Sequence, residues 1–212
     1  MLALAYAQRY PERVRALLLT SVTTMRQAEL DWLYEGARAF FPEAWERFRA
    51  AVPRAADESI PAAYVRAMES PDAALREGAA RAWCAWEDAV LSLERPANAP
   101  LAYGDRPLPE LVAFVRICAR YVANRAWLAD GELVTGAAKL AGIPGVLIHG
   151  RRDLSAPLRF AYELANAWPG ARLIALDDAG HLASPSKREA LMGTVSTLST
   201  FGPADRGNRQ SP

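Results

Sequence analysis

Two short apolar runs, Gly145-Val146-Leu147-Ile148-His149 and Ala171-Arg172-Leu173-Ile174-Ala175-Leu176, enclose one helix-length segment from Leu158 to Trp168, and this alternation constrains the fold more than any other feature. Strand, helix, strand at that spacing suits a parallel pair, because parallel neighbours must be joined by a crossover long enough to bring the chain back to its starting edge. A third run, Val14-Arg15-Ala16-Leu17-Leu18-Leu19-Thr20, is almost continuously apolar and reads as a strand covered on both faces. It follows a helical stretch from Leu2 that Tyr10-Pro11-Glu12 closes. The expected class is α/β, with a remnant parallel sheet of about three strands.

Between Ala28 and Leu128 the rhythm changes to helices rich in Trp, Ala, Glu and Arg, interrupted by Pro42, Pro53, Pro61, Pro71, Pro96, Pro100, Pro107 and Pro109. That block reads as an all-α insertion. The division expected is a partial α/β core over 1–27, a helical cap over 28–130, a second core segment over 131–200, and a disordered Gly-, Pro- and polar-rich tail over 201–212.

Composition removes several function classes. At 51% hydrophobic, 212 residues can bury a substantial core. A net charge of +1 with scattered Lys and Arg offers no basic stripe for phosphates, so nucleic acid is not an expected partner. Two cysteines, Cys84 and Cys118, and two histidines lack metal-ligand spacing, and free thiols in a reducing cytosol are expected. The apolar start from Leu2 to Ala7 has no basic flank of the signal-peptide kind, and no stretch reaches the roughly 18 apolar residues of a membrane span. A cytoplasmic protein without membrane contact and with a small ligand is the expectation.

Asp153, in His149-Gly150-Arg151-Arg152-Asp153, and His181, in Asp178-Ala179-Gly180-His181, each follow a strand-like run. In an open parallel sheet, loops beyond the carboxyl ends of neighbouring strands converge on one crevice. A histidine there can take a proton from a hydroxyl and return it to a leaving group, provided a carboxylate fixes its tautomer. The alternative has Asp153 capping a helix that begins near Pro157 and His181 as a loop histidine bonded to backbone. The two residues together, in these contexts, favour the acid–base pair. His149, at a strand end before Gly150, reads as a packed core residue.

At these residues the chain resembles the proline iminopeptidases (prolyl aminopeptidases) of the α/β-hydrolase superfamily. Leu2 to Val14 resembles the helix and turn that follow the family's Gly-rich nucleophile elbow. Glu29-Leu30-Asp31-Trp32, Phe41-Pro42-Glu43-Ala44-Trp45 and Arg81-Ala82-Trp83-Cys84-Ala85-Trp86-Glu87 resemble its cap, and the segments around Gly142–Arg151 and Ala179-Gly180-His181 resemble its Asp and His regions. The resemblance implies release of N-terminal proline from small peptides, with no metal or organic cofactor. It makes Asp153 and His181 the catalytic acid and base, Glu87 the carboxylate that recognises the substrate's free amine, and Trp83 and Trp86 flanking groups for the pyrrolidine ring. On helical periodicity alone, the two tryptophans read as core and Glu87 as a solvated face.

The chain departs from the family in two places. A second amine-binding glutamate is replaced, the segment reading Arg116-Ile117-Cys118-Ala119-Arg120-Tyr121, so a counter-charge is lost and Arg120 adds a like charge if it faces the site. No G-x-S-x-G occurs in the 212 residues, so neither nucleophile nor oxyanion donors are evident. The expectation is a truncated α/β-hydrolase, a fragment inert by itself, whose first strand leaves an open sheet edge prone to self-association. Two other readings stand beside it: a non-catalytic binding module, and another α/β-hydrolase of the esterase or epoxide-hydrolase type.

Overall fold

The computed structural model describes residues 1–96 and 98–199, so the expected tail over 201–212 lies outside the described residues. Helix α1 (Leu2–Arg9) leads through a 3-10 turn to β1 (Leu17–Thr20). Five helices follow: α2 (Gln27–Tyr34), α3 (Pro42–Ala50), α4 (Ile60–Met68), α5 (Ala73–Val90) and α6 (Leu108–Ala123). The remainder runs α7 (Glu132–Thr135), β2 (Gly145–Gly150), α8 (Leu158–Ala167), β3 (Ala171–Leu176) and α9 (Pro185–Ser199). These form two compact units, one from Met1–Thr23, Leu133–Arg152 and the residues from Pro157 onward, the other from Thr24–Glu132 with Asp153–Ala156.

In the first unit the strands lie parallel in the order β1-β2-β3, with Leu17 opposite Gly145 and Gly145 opposite Ala171. Every residue of the central strand β2 is buried, as its unbroken apolar run demands. β1 is shorter than its apolar run. The ladder begins where the Leu17 N–H donates to the Pro144 carbonyl at 2.9 Å, and the 3-10 turn over Pro11–Arg13 leaves Val14 to Ala16 without strand pairing. Helices α8 and α9 both pack on β2 and β3. The Trp168 ring lies across the start of β2, where a side-chain carbon on Gly145 would come within 2.4 Å of it. Its indole N–H is shared between the carbonyls of Leu140 and Ile143, 3.2 Å from each.

The second unit is all helical. Its prolines punctuate as the sequence suggests: Pro42 opens α3, Pro61 lies in the first turn of α4, and Pro107 precedes α6. Ser59 caps α4 by accepting the Ala62 N–H, and Asp72 caps α5 through the Ala74 N–H. The helices close on an aromatic cluster in which Phe48 stacks on Tyr64 and Trp86 at centroid distances of 4.7 and 5.6 Å, and Tyr64 meets Trp83 edge-on at 5.1 Å. Asp88, buried near the end of α5, accepts the Tyr103 and Gly104 N–H groups at 3.0 and 2.7 Å and so ties the loop before α6 to this core. Among the described residues no helix is long and apolar enough to cross a membrane.

Candidate functional site

The loops that follow β2 and β3 are drawn together in the first unit by main-chain bonds. The Arg151 N–H donates to the Leu176 carbonyl at 2.9 Å and the Arg152 N–H to the Ala179 carbonyl at 3.0 Å. Gly150 permits this approach, since a side-chain carbon there would lie 2.2 Å from the Ala179 oxygen. Arg151 also pairs with Asp177 across the same two strand ends. One bonded residue therefore immediately precedes Asp153, and the other lies two positions before His181.

His181 is half-buried, and its carbonyl is a junction: it accepts from the Ser21 hydroxyl at 2.9 Å and from the Lys187 ammonium at 2.8 Å. Beside it lies a cavity of about 390 Å³ lined by Thr20, Ser21, His181, Ala183, Lys187 and Leu191. Asp153 is buried, and its Oδ1 accepts the Ala156 N–H at 2.7 Å. The carboxylate thus closes its own turn. The helix beyond it takes Pro157 at its cap position without a side-chain cap, so the helix-capping alternative for Asp153 does not hold. The neighbouring Leu154 carbonyl accepts the Trp32 indole N–H at 2.7 Å within the second unit.

Glu87, Trp83 and Trp86 lie on one stretch of α5, but their environments differ. Glu87 is half-buried and its Oε1 faces the Tyr34 hydroxyl at 3.4 Å. Burial first, and then the Glu87 charge, hold the Tyr34 phenol well above its ordinary range. The same two causes push the Cys118 thiol up to about 11, with Arg106 opposing. Glu87 therefore lies near a thiol that stays protonated at neutral pH. Trp83 and Trp86 are each only 1% exposed and fill the aromatic core. Arg120 is turned to solvent and pairs with Glu69 at 3.0 Å, an orientation that its place one turn from Arg116 does not reveal.

Sequence reasoning passed over Lys187, Glu29 and Asp88, all buried and charged. Glu29 accepts both the Thr24 N–H and its hydroxyl, at 2.8 and 2.5 Å. Only Lys187 carried a local signal: a cation in the first turn of a helix sits at the wrong pole of the helix dipole. No group of three or more His, Cys, Asp or Glu among the described residues could hold a metal ion.

The sequence pattern of the alpha/beta hydrolase fold matches residues 1–187. A protein named "Probable proline iminopeptidase" from Streptomyces coelicolor is 39% identical over 211 residues, which cover 97% of this chain and 64% of that protein. The proline iminopeptidase of Xylella fastidiosa is 40% identical over 194 residues, covering 90% of this chain and 61% of its own, and that of Arabidopsis thaliana is 36% identical over 208 residues, covering 91% and 54%. The chain thus spans between about half and two thirds of the length of these relatives.

Proposed function

Because the chain belongs to the α/β-hydrolase fold family, we propose that these 212 residues furnish the acid, the base and the amine-recognising carboxylate of a serine-type peptidase that releases proline from the amino end of short peptides. The observation that carries this reading is the 39% identity to a protein of that name over 97% of the chain. In the proposed reaction His181 takes the proton of a serine hydroxyl and returns it to the leaving amine, while Asp153 holds the imidazole tautomer. One Asp153 oxygen is committed to the Ala156 N–H. Glu87 meets the substrate's protonated imino group, a charge-assisted bond strengthened by partial burial. Peptide recognition therefore rests on one carboxylate, with Cys118 as a neutral neighbour. The two tryptophans support Glu87 from the core, since rings only 1% exposed leave little face for a substrate.

No G-x-S-x-G stands in the chain, so we assign it no nucleophile of its own. Without oxyanion donors, each worth roughly 3 to 4 kcal/mol, the chain alone is expected to be inert. β1 is paired only with β2 among the described residues, and self-association through its other edge belongs to the same reading.

Calorimetric titration with prolinamide and N-acetylprolinamide tests the amine site. The free imino compound should bind at least tenfold more tightly to the parent chain, and Glu87→Gln should abolish the difference. Equal binding of both compounds by the parent would end the assignment of Glu87, and turnover of a prolyl arylamide by the purified chain would end the claim of inertness.

A further inference from the structure

Lys187 is out of place by every local rule. It is 6% exposed, although an ammonium pays a large desolvation cost on burial, and it stands in the first turn of α9, where the helix presents partial positive charge. The turn itself does not need it, because Ser184 already caps α9 by accepting the Lys187 main-chain N–H at 3.1 Å. What its side chain does instead is reach three acceptors from two other segments: the Gly180 carbonyl at 2.6 Å, the His181 carbonyl at 2.8 Å and the Ser21 hydroxyl at 2.8 Å. Three acceptors match the three protons of an ammonium.

Ser21 is equally specialised. It has a φ of 45°, a left-handed backbone that a serine adopts only when its surroundings hold it there. Its N–H extends the β1 ladder to the Ile148 carbonyl at 3.1 Å, and its hydroxyl, while accepting from Lys187, donates to the His181 carbonyl. Because that hydroxyl proton is given to a carbonyl and the lysine is a fully engaged donor, the pair is not set up as a nucleophile and base. It is a clamp.

We propose that Lys187 is a positioning residue for His181: its ammonium, with Ser21, bolts the main chain carrying the imidazole to the end of β1. This rests on the reading of His181 as the base. A hydroxyl–imidazole hydrogen bond needs its partners placed to within a fraction of an ångström, and a loop with no regular structure supplies that only if its own carbonyls are held.

The test uses the 212-residue chain and needs no substrate. The Arg152 N–H, bonded to the Ala179 carbonyl, reports by hydrogen exchange whether the His181 loop stays docked. The chain's two histidines give two ring resonances, with His149 inside β2 as the control. Lys187→Met keeps the apolar stem and removes the donors. It should speed Arg152 exchange at least tenfold and shift the His181 ring resonance, while His149 and the β2 amides hold. Lys187→Arg, which restores donors and charge, should recover most of the protection. A folded Lys187→Met with parental exchange at Arg152 and a parental His181 resonance overturns the proposal. If that variant does not fold, Ser21→Ala decides: faster Arg152 exchange supports the clamp, and unchanged exchange overturns it. Absent prolinamide binding, by contrast, counts only against the reading of the activity.

Discussion

Gly150→Ala is the substitution whose consequence follows most directly from the coordinates. The added carbon would stand 2.2 Å from the Ala179 oxygen, 2.4 Å from its carbonyl carbon and 2.5 Å from the Gly180 oxygen. All three are main-chain atoms, so no rotamer change relieves the overlap. To open the shortest contact from 2.2 to 3.0 Å, the Ala179–Gly180 segment must withdraw by about 0.8 Å. Overpacking of this kind costs about 1 to 3 kcal/mol. Weakening the bond from the Arg152 N–H to the Ala179 carbonyl adds about 1 kcal/mol. For a chain of this size, 2 to 4 kcal/mol corresponds to a fall in Tm of roughly 5 to 15 °C. The matched control is Gly78→Ala, on the exposed face of α5, where an added carbon meets nothing within 4 Å. It should stabilise by roughly 0.5 to 1 kcal/mol, because alanine loses less backbone entropy than glycine in a helix. Thermal melts followed by far-UV circular dichroism, run side by side on parent and variants, give the comparison. A Gly150→Ala melt within about 1 °C of the parent would refute the steric argument, since no other outcome fits a fixed main-chain obstacle.

Two fully buried indoles, one in the sheet unit and one in the helical core, should respond differently to the same change. Trp168→Phe takes the indole donor from the Ile143 carbonyl, while the Leu140 carbonyl keeps the Ile143 N–H, and it opens a void beside Gly145, for a loss of about 2 to 4 kcal/mol in urea denaturation. The Trp86 indole N–H finds no hydrogen-bond partner among the described residues, so Trp86→Phe should lose less than half as much; equal losses would count against that difference in bonding. Alkaline pH should destabilise the fold. Burial, followed by the Asp88 and Glu87 charges, pushes the Cys84 thiol up to about 12, and burial with Glu87 takes Cys118 up to about 11. The folded state then keeps protons that the unfolded chain, with thiols near 9, gives up. Stability from these groups is intact below pH 9, declines as pH rises through 9, and is lost through the folded values near 11 and 12. Urea midpoints between pH 7 and 10.5 should fall above 9, and the fall should shrink in Cys84→Ala; a midpoint that rises with pH contradicts the sign.

Periodicity carried the sheet unit well. β3 spans the same residues as its apolar run, β2 differs by one residue at Gly150, and α8 ends one residue before Trp168. All three are bounded by local chemistry: β-branched and aliphatic residues in the strands, Pro157 before the helix, and Gly170 after it in a positive-φ turn. β1 was shortened because the ladder depends on where Pro144 offers its carbonyl, 127 positions away from Leu17 in the chain. The meeting of the loops before Asp153 and His181 was also legible, since adjacent parallel strands leave their following loops side by side.

The chain's own letters gave the three strands, the crossover helix between the last two and the helical character of the block between Ala28 and Leu128. Tertiary structure alone turned Arg120 toward Glu69, set which rings Trp83 and Trp86 meet, and drove the Lys187 ammonium between Ser21 and the His181 loop. The physical reason is range. Backbone propensity and periodicity are written within a few neighbouring residues, whereas a buried charge or an aromatic stack is decided by partners that only the folded chain brings within 3 to 6 Å.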